Sequence, residues 1–211
     1  MALSAHARGF TDRVATPLAR GLVHLGATAN ALTATGLLLT FAGAVVVLAG
    51  DPVAGGIVLA FGTAVDALDG AVARLRGTTS RWGAFFDSVA DRVGDAVLFG
   101  AVTWLVRDEP VLFALSILVL GASQITSYVR ARAESLGWGA TVGLVERPER
   151  VMIMITAITL GFVPVALYLL AVGSTVTVVQ RVAAVRRQAR AEGDHRGSPG
   201  APGTPPQGGG R

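Results

Sequence analysis

Long apolar segments follow one another along most of this 211-residue chain. They cover about residues 31–49, 53–73, 84–106, 111–129, 151–163 and 165–180. The first four approach the roughly 20 apolar residues that a helix needs to cross a bilayer core. The fifth is short, so it either begins earlier, within 146–150, or is joined to the sixth by a tight turn at 161–164, and five spans is the alternative count.

The composition agrees with a polytopic membrane protein, because 52% of the residues are hydrophobic and only 15% are charged. Cysteine is absent, which excludes disulfides and thiol chemistry. All 18 basic residues counted as Lys or Arg are arginines, whose forked guanidinium groups suit phosphate binding.

The arginines outside the apolar runs fall almost entirely into alternate loops, which sets the expected topology. They precede the first run, separate the second from the third and the fourth from the fifth, and follow the sixth, at Arg8, Arg13, Arg20, Arg74, Arg76, Arg81, Arg130, Arg132, Arg147, Arg150, Arg181, Arg186, Arg187 and Arg190. The positive-inside rule then gives six spans with both termini and the loops between these runs in the cytoplasm. We therefore predict an all-α integral protein of the cell membrane with six transmembrane helices.

Three regions are predicted along the chain. Residues 1–28 form an N-terminal juxtamembrane segment in which Phe10, Leu18 and Arg13 alternate as in an amphipathic helix at the membrane surface, with a solvated helix as the alternative. Residues 29–190 form the six-helix domain. Residues 191–211 form a tail rich in glycine and proline that is expected to be disordered.

Four aspartates lie within or beside the second and third apolar runs, where a carboxylate costs several kcal/mol unless it is paired or metal-bound. Asp66 and Asp69 are spaced i and i+3 on one predicted helix, and Asp87 and Asp91 are spaced i and i+4 on the next, so each pair shares a helix face. Residues 77–80, Gly-Thr-Thr-Ser, are suited to end one helix and cap the other. Four hard oxygen ligands without His or Cys suit Mg²⁺, Mn²⁺ or Ca²⁺.

The run Asp66-x2-Asp69-Gly70-x2-Ala73-Arg74-x8-Gly83-x3-Asp87-x3-Asp91 resembles, without a departure, the signature of the CDP-alcohol phosphatidyltransferases. It covers only the second and third predicted helices. The resemblance implies a six-helix fold that commonly forms homodimers. It also implies transfer of a phosphatidyl group from a CDP-linked lipid to an alcohol, with CMP leaving.

The resemblance also implies roles for the acids. Asp66, Asp69, Asp87 and Asp91 are the expected metal site, with Mg²⁺ as the expected ion and Mn²⁺ as an alternative. Asp91 matches the base that takes the proton from the attacking hydroxyl, and a direct contact with metal is a competing role for it.

Small and polar residues beside the acids are expected to bind the CDP-lipid. This set contains Asp69, Gly70, Ala73, Arg74, Thr79 and Gly83. Gly70, Ala73 and Gly83 lack bulk, so a nucleotide can approach the backbone closely, although small residues taken alone more often serve helix packing. Arg74 is expected to mark the cytosolic helix end and also to meet the substrate phosphate.

The acceptor alcohol is predicted from a second resemblance. Residues 127–134, 146–150 and 180–181 resemble the actinobacterial phosphatidylinositol phosphate synthases, a branch of the family whose acceptor is inositol 1-phosphate. The candidates for binding the acceptor phosphate are Arg130, Arg132, Arg150 and Arg181. Any one of them is more often a signal of membrane orientation than a ligand, so only their joint position favours a pocket.

Arg147 is a weaker candidate for the acceptor phosphate, because it is expected to form surface ion pairs with the adjacent Glu146 and Glu149. Asp95 is left out of the expected metal site, because it is expected to pair with a polar neighbour such as Arg92.

Two alternative functions stay open. A phosphatidylglycerophosphate synthase would need the same kind of basic pocket for glycerol 3-phosphate. A divalent cation transporter would need acids along a path on several helices, whereas here the first, fourth, fifth and sixth apolar runs contain none. The expected partners are CDP-diacylglycerol, inositol 1-phosphate, membrane lipid and a second copy of the chain, and no nucleic acid.

Overall fold

The computed structural model describes residues 16–196, with side chains described as far as residue 192. Within this range the chain is helical and contains no strand, which confirms the all-α class. The first helix, α1, is described over 16–24. The others are α2 (Ala29–Leu48), α3 (Pro52–Asp66), α4 (Asp69–Arg76), α5 (Arg81–Leu105), α6 (Pro110–Ser135), α7 (Arg147–Leu160) and α8 (Val163–Arg196).

Four helical segments among the described residues are long and apolar enough to cross a membrane. They are Ala29–Leu48, Pro52–Arg76, Pro110–Ser135 and Val163–Glu192. Helix α5 is long, with 25 residues, but it carries the charges of Asp87, Asp91, Arg92 and Asp95. Helix α7 has 14 residues. The structure thus agrees with a membrane protein.

Local sequence signals explain where the helices begin and end. Thr28, Asp51 and Ser80 each accept a hydrogen bond at a helix N-terminus, and the Ser80 hydroxyl binds the amide of Gly83 at 3.0 Å. Gly77 ends α4 with a left-handed φ of 64°. The predicted function of residues 77–80 as a helix stop and a cap is therefore confirmed.

Both explanations predicted for the short fifth apolar run are confirmed. Helix α7 begins at Arg147, well before the apolar residues, and ends at Leu160 with Gly161 in a left-handed conformation at φ 80°. Helix α8 then starts at Val163 and continues to Arg196. A tight turn therefore joins α7 to α8. The predictions for residues 1–15 and 197–211 lie outside the described residues.

The second apolar run is not one regular helix, and this corrects the prediction. Helix α3 ends at Asp66 and α4 begins at Asp69, with Ala67 and Leu68 forming a turn between them. The amide of Leu68 donates to Val65 three residues back, at 3.1 Å, which tightens the chain at this point. The two aspartates therefore flank a turn and do not lie on successive turns of one helix.

Close packing of α2 on α3 sets the position of Asp66. A methyl group added to Gly43 or Gly55 would lie within 3.0 Å of the opposing backbone, so the two helices approach closely through small residues. At the site end of this contact, a methyl group on Gly36 would lie 3.0 Å from the Cβ atom of Asp66. Helix α5 in turn packs on α2 and α6, α6 packs on α8, and α3 packs on α7.

Candidate active site

Three carboxylates meet where α3, α4 and α5 come together. One oxygen from each of Asp66, Asp69 and Asp87 lies within 4.8 Å of the others, and all three side chains are half-buried. Thr33 on α2 donates a hydrogen bond to Oδ2 of Asp69 at 2.6 Å and fixes its orientation. Three converging carboxylate oxygens without nitrogen or sulfur fit a hard divalent ion such as Mg²⁺ or Mn²⁺.

Asp91 stands apart from these three acids. It follows Asp87 by one helical turn on α5, and its Oδ1 lies 2.8 Å from the Nη1 atom of Arg147. The nearest charged partner of the expected base is therefore an arginine of α7.

Arg147 is central to the site, so the expectation that it forms surface ion pairs is wrong. Besides Asp91 it contacts Oδ1 of Asp95 at 3.1 Å, and its Nη1 lies 3.9 Å from Oδ2 of Asp66. The neighbouring Glu146 and Glu149 instead form the capping box of α7. Arg147 is the first residue of α7, which packs on α3 and α8, and its side chain reaches across to the aspartates.

Asp95 is also paired differently from the prediction. Its carboxylate contacts Arg147, Arg150 and Ser123, whereas Arg92 donates to the carbonyl oxygens of Ser88 and Ser127. The expected pair of Asp95 with Arg92 is therefore wrong. Arg92 lies three residues before Asp95 on α5 but is taken up by carbonyl oxygens of α5 and α6, while Ser123 of α6 and the two arginines of α7 enclose the Asp95 carboxylate.

A cavity of about 450 Å³ opens beside Asp91, between α5, α6, α7 and α8. Its charged lining includes Asp87, Asp91, Arg92, Arg130, Glu134, Glu146, Arg147, Arg150 and Arg181. We refer to it as the basic cavity. The structure thus brings together three of the four arginines predicted for the acceptor phosphate. The fourth, Arg132, is not part of the lining, and its Nη1 lies 3.4 Å from the hydroxyl of Ser135 on the exposed side of α6.

The three predicted arginines of the basic cavity are held differently. Arg150 is fully buried, and its Nε and Nη1 atoms have no hydrogen-bond partner among the described residues. Arg181 donates to the carbonyl oxygens of Val142 and Thr126, both at 2.9 Å, and so joins the loop before α7 to α6. Arg130 is half-exposed and paired with Glu134 at 2.9 Å. Arg150 is therefore the one of the three whose buried guanidinium keeps nitrogen atoms without a protein partner among the described residues.

A second cavity, of about 210 Å³, lies on the other side of the acids, between α2, α4 and α5. All six residues predicted to bind the CDP-lipid line it, namely Asp69, Gly70, Ala73, Arg74, Thr79 and Gly83. We refer to it as the small-residue cavity. Asp87 lines both cavities, so the acid group lies between them.

The family model of the CDP-alcohol phosphatidyltransferases matches residues 27–186, which contain every residue of both cavities and of the acid group. The chain belongs to the CDP-alcohol phosphatidyltransferase family. It is therefore an enzyme, a transferase of that family, and the interpretation as a cation transporter is rejected.

The relatives of this phosphatidyltransferase point to one branch. The phosphatidylinositol phosphate synthase of Streptomyces avermitilis is 42% identical over 211 aligned residues, covering 91% of this chain and 85% of the relative. The crystal structure of the Mycobacterium tuberculosis phosphatidylinositol phosphate synthase with CDP-DAG bound is 36% identical and has a TM-score of 0.75. The match covers 82% of this chain and 94% of that one. The same enzyme in complex with manganese and citrate also gives a TM-score of 0.75, at 36% identity, covering 81% of this chain and 88% of that chain.

Sequence reasoning missed several residues of this site. Asn30 and Thr33 line the small-residue cavity from α2, and both are polar residues at the start of an otherwise apolar helix, which is the signal that was available. Arg92 lines the basic cavity one residue after Asp91. Arg147 carried no such signal, because its two acidic neighbours in sequence suggested a simpler pairing.

Proposed function

We propose that this chain transfers the phosphatidyl group of CDP-diacylglycerol to inositol 1-phosphate, giving phosphatidylinositol phosphate and CMP. The observation that carries this proposal is the basic cavity beside Asp91, in which the buried Arg150 retains two nitrogen atoms without a partner. A buried guanidinium with unused donors is costly unless an anion completes its hydrogen bonds. An acceptor that carries a phosphate meets that requirement, and a free polyol does not.

The small-residue cavity is the proposed subsite for the CDP part of the lipid. Gly83 faces Asn30 there, because a methyl group on Gly83 would lie 3.5 Å from the Oδ1 atom of Asn30. The backbone at Gly83 is therefore accessible to the flat base of a nucleotide, and polar side chains border the opposite side of the cavity. Arg74 lines the same cavity and is assigned to the diphosphate.

The acid group is the proposed metal site, with Asp66, Asp69 and Asp87 as ligands of Mg²⁺ or Mn²⁺. The ion supplies charge neutralisation of the diphosphate and polarises the attacked phosphorus. The manganese complex of the Mycobacterium tuberculosis relative supports this choice of ion.

Asp91 is the proposed base. It takes the proton from the acceptor hydroxyl as that oxygen forms its bond to the phosphorus that carries the diacylglycerol, and the bond from this phosphorus to the oxygen of CMP breaks. Arg147, 2.8 Å away, orients the Asp91 carboxylate, and its positive charge favours the ionised form. Arg130, Arg147, Arg150 and Arg181 are assigned to the acceptor phosphate, and Arg132 is left out because it lies outside the basic cavity.

The proposal includes the membrane arrangement. Helices α5 and α7 complete six spans together with the four apolar segments, with both termini and the site on the cytoplasmic side, where the arginine-rich loops lie. Residues 16–24 pack Ala19 against the α4 residues Ala71 and Val72 and leave Leu18 exposed, which supports a helix at the membrane surface. The resemblance to the family extends the proposal to a homodimer.

Purified protein with Mg²⁺ and CDP-diacylglycerol tests the function directly. Inositol 1-phosphate, free inositol and glycerol 3-phosphate are offered in parallel, and both CMP and the lipid product are identified. We expect a lipid product, phosphatidylinositol phosphate, with inositol 1-phosphate and no lipid product with the other two acceptors. A lipid product from glycerol 3-phosphate in preference to inositol 1-phosphate contradicts the proposed acceptor, and CMP release without any acceptor contradicts transfer to an alcohol.

A further inference from the structure

One buried carboxylate organises the wall of the basic cavity without facing it. Among residues 16–192, Asp95 is the acidic side chain that is almost fully buried, at 2% exposure, one turn beyond Asp91 on α5. It is not one of the three converging carboxylates of the metal site, and it lines neither the basic nor the small-residue cavity. Its effect on a ligand in either cavity must therefore pass through other side chains.

The contacts of Asp95 join three helices. Its Oδ1 accepts a hydrogen bond from Nε of Arg147 at 3.1 Å, and its Oδ2 accepts from Nη2 of Arg150 at 3.4 Å. The hydroxyl of Ser123 on α6 donates to the same Oδ2 at 2.9 Å. One carboxylate on α5 thus fixes two guanidinium groups of α7 and one hydroxyl of α6.

The charges show why this carboxylate matters to the cavity. Arg150 has a side chain only 1% exposed, and Asp95 supplies its one ion pair among the described residues. The remaining nitrogen atoms of Arg150, Nε and Nη1, are buried and have no partner among the described residues. A guanidinium group is planar, so anchoring one end of it sets the direction of the others. Without Asp95, Arg150 would be an uncompensated buried cation free to turn away from the cavity.

We propose that Asp95 is a positioning residue for the acceptor phosphate, acting by holding Arg147 and Arg150 in the orientation that faces the basic cavity. This inference rests on the proposed function for its choice of ligand. It goes beyond that function by assigning a role to a side chain that touches neither substrate. The expected consequence is a change in acceptor binding that leaves the CDP-lipid subsite almost unchanged.

The test compares Asp95→Asn with the wild-type protein in the full chain, measuring kcat and the KM of each substrate. Asp95→Asn keeps the shape of the side chain and removes its charge. A hydrogen bond between charged groups is lost at each arginine, so the acceptor KM is expected to rise about 10- to 100-fold. The KM of CDP-diacylglycerol is expected to change by less than about threefold, because the small-residue cavity does not contact Asp95. Equal increases in both KM values, or an unchanged acceptor KM, would overturn the proposal.

Two serines of α6 provide a test variant and its matched control. The test variant perturbs Asp95 without removing its charge. Ser123→Ala deletes the hydrogen bond to Asp95, whereas Ser116→Ala deletes one made to the carbonyl of Phe113 within the same helix, and both serines are buried. We expect Ser123→Ala to raise the acceptor KM a few-fold and Ser116→Ala to leave it unchanged. This pair decides the question if Asp95→Asn does not fold. Equal effects of the two serine variants would then count against the role of Asp95.

A triple variant separates positioning from general structure. If Asp95 acts through Arg147 and Arg150, adding Asp95→Asn to Arg147→Ala/Arg150→Ala should raise the acceptor KM by less than about threefold more. If the separate increases in the acceptor KM instead multiply in full, Asp95 acts by another route.

Binding of inorganic phosphate, measured by calorimetry on the purified full chain, distinguishes failure of this inference from failure of the proposed function. Weaker phosphate binding in Asp95→Asn supports the positioning role even if the wild type proves to use another phosphorylated acceptor. Equal phosphate binding in the variant and the wild type overturns the role, whatever the lipid product.

Discussion

The guanidinium of Arg147 lies 2.8 Å from the carboxylate of Asp91, and the same side chain reaches Asp95 at 3.1 Å. One arginine of α7 thus links Asp91, the expected base, to the buried Asp95 behind the wall of the basic cavity. Arg147 also lines the basic cavity, so its charge is shared between protein carboxylates and the proposed acceptor phosphate.

Arg147→Ala should lower kcat about 100-fold and raise the acceptor KM, because Asp91 and Asp95 lose a charge-assisted partner. The matched control is Arg107→Ala, which breaks an exposed ion pair with Asp108 outside the site. Steady-state kinetics with both substrates provide the measurement. Activity of Arg147→Ala within about twofold of the control would contradict a role for Arg147 in the reaction.

Asp91→Asn should abolish turnover, since an amide cannot accept the proton of the attacking hydroxyl. Binding of CDP-diacylglycerol should survive, because the carboxylates of Asp66, Asp69 and Asp87 are unchanged. Product formation and lipid binding are measured on the same preparation. Retained turnover would remove Asp91 from the role of base.

Gly36→Ala should weaken metal binding by displacing Asp66. The added methyl group would lie 3.0 Å from the Cβ of Asp66 and 3.0 Å from the carbonyl oxygen of Gly62, and neither neighbour is the flexible end of a side chain. We expect the Mg²⁺ concentration for half-maximal activity to rise about tenfold. Gly100→Ala on α5 is the control, since a methyl group there meets nothing within 4 Å. An unchanged Mg²⁺ requirement in Gly36→Ala would show that α2 does not set the position of this ligand.

Gly83→Ala should raise the KM of CDP-diacylglycerol more than that of the acceptor. The new methyl group would project toward Asn30 and the hydroxyl of Ser80, at 3.5 and 3.2 Å, and occupy part of the small-residue cavity. We expect an increase of about tenfold, the effect of one misplaced methyl group in a close contact. Gly121→Ala on α6, where the space is open, serves as the comparison. A larger effect on the acceptor KM would reverse the assignment of the two cavities.

The sequence predicted what depends on spacing along one helix. The predicted run lies on adjoining helices, and its acids Asp66, Asp69 and Asp87 converge, while Asp91 lies one turn further along α5 against Arg147. The turn at Ala67 and Leu68 was missed because neither residue is a glycine or a proline.

The contacts of Arg147 and Asp95 were missed for a different reason. These residues are 52 positions apart, and they meet because α7, which packs on α3 and α8, begins beside Asp95 of α5. Pairing rules within a helix give each of them a plausible neighbour, such as Glu149 or Arg92. Docking between distant helices overrides those local choices, since a buried carboxylate takes the donors that enclose it.

Asp87 and Ala84, which lie one turn apart on α5, border both cavities and so form the partition between the two proposed binding compartments. With the nucleotide on one side and the inositol phosphate on the other, the phosphatidyl group passes from CMP to the acceptor by exchanging bonds at one phosphorus, while its fatty tails stay anchored in the bilayer. The enzyme then has no need to carry the lipid as a covalent adduct. Double-reciprocal plots of its initial rates against one substrate, at several concentrations of the other, should intersect. This is the pattern of a sequential mechanism, in which both substrates bind before either product leaves.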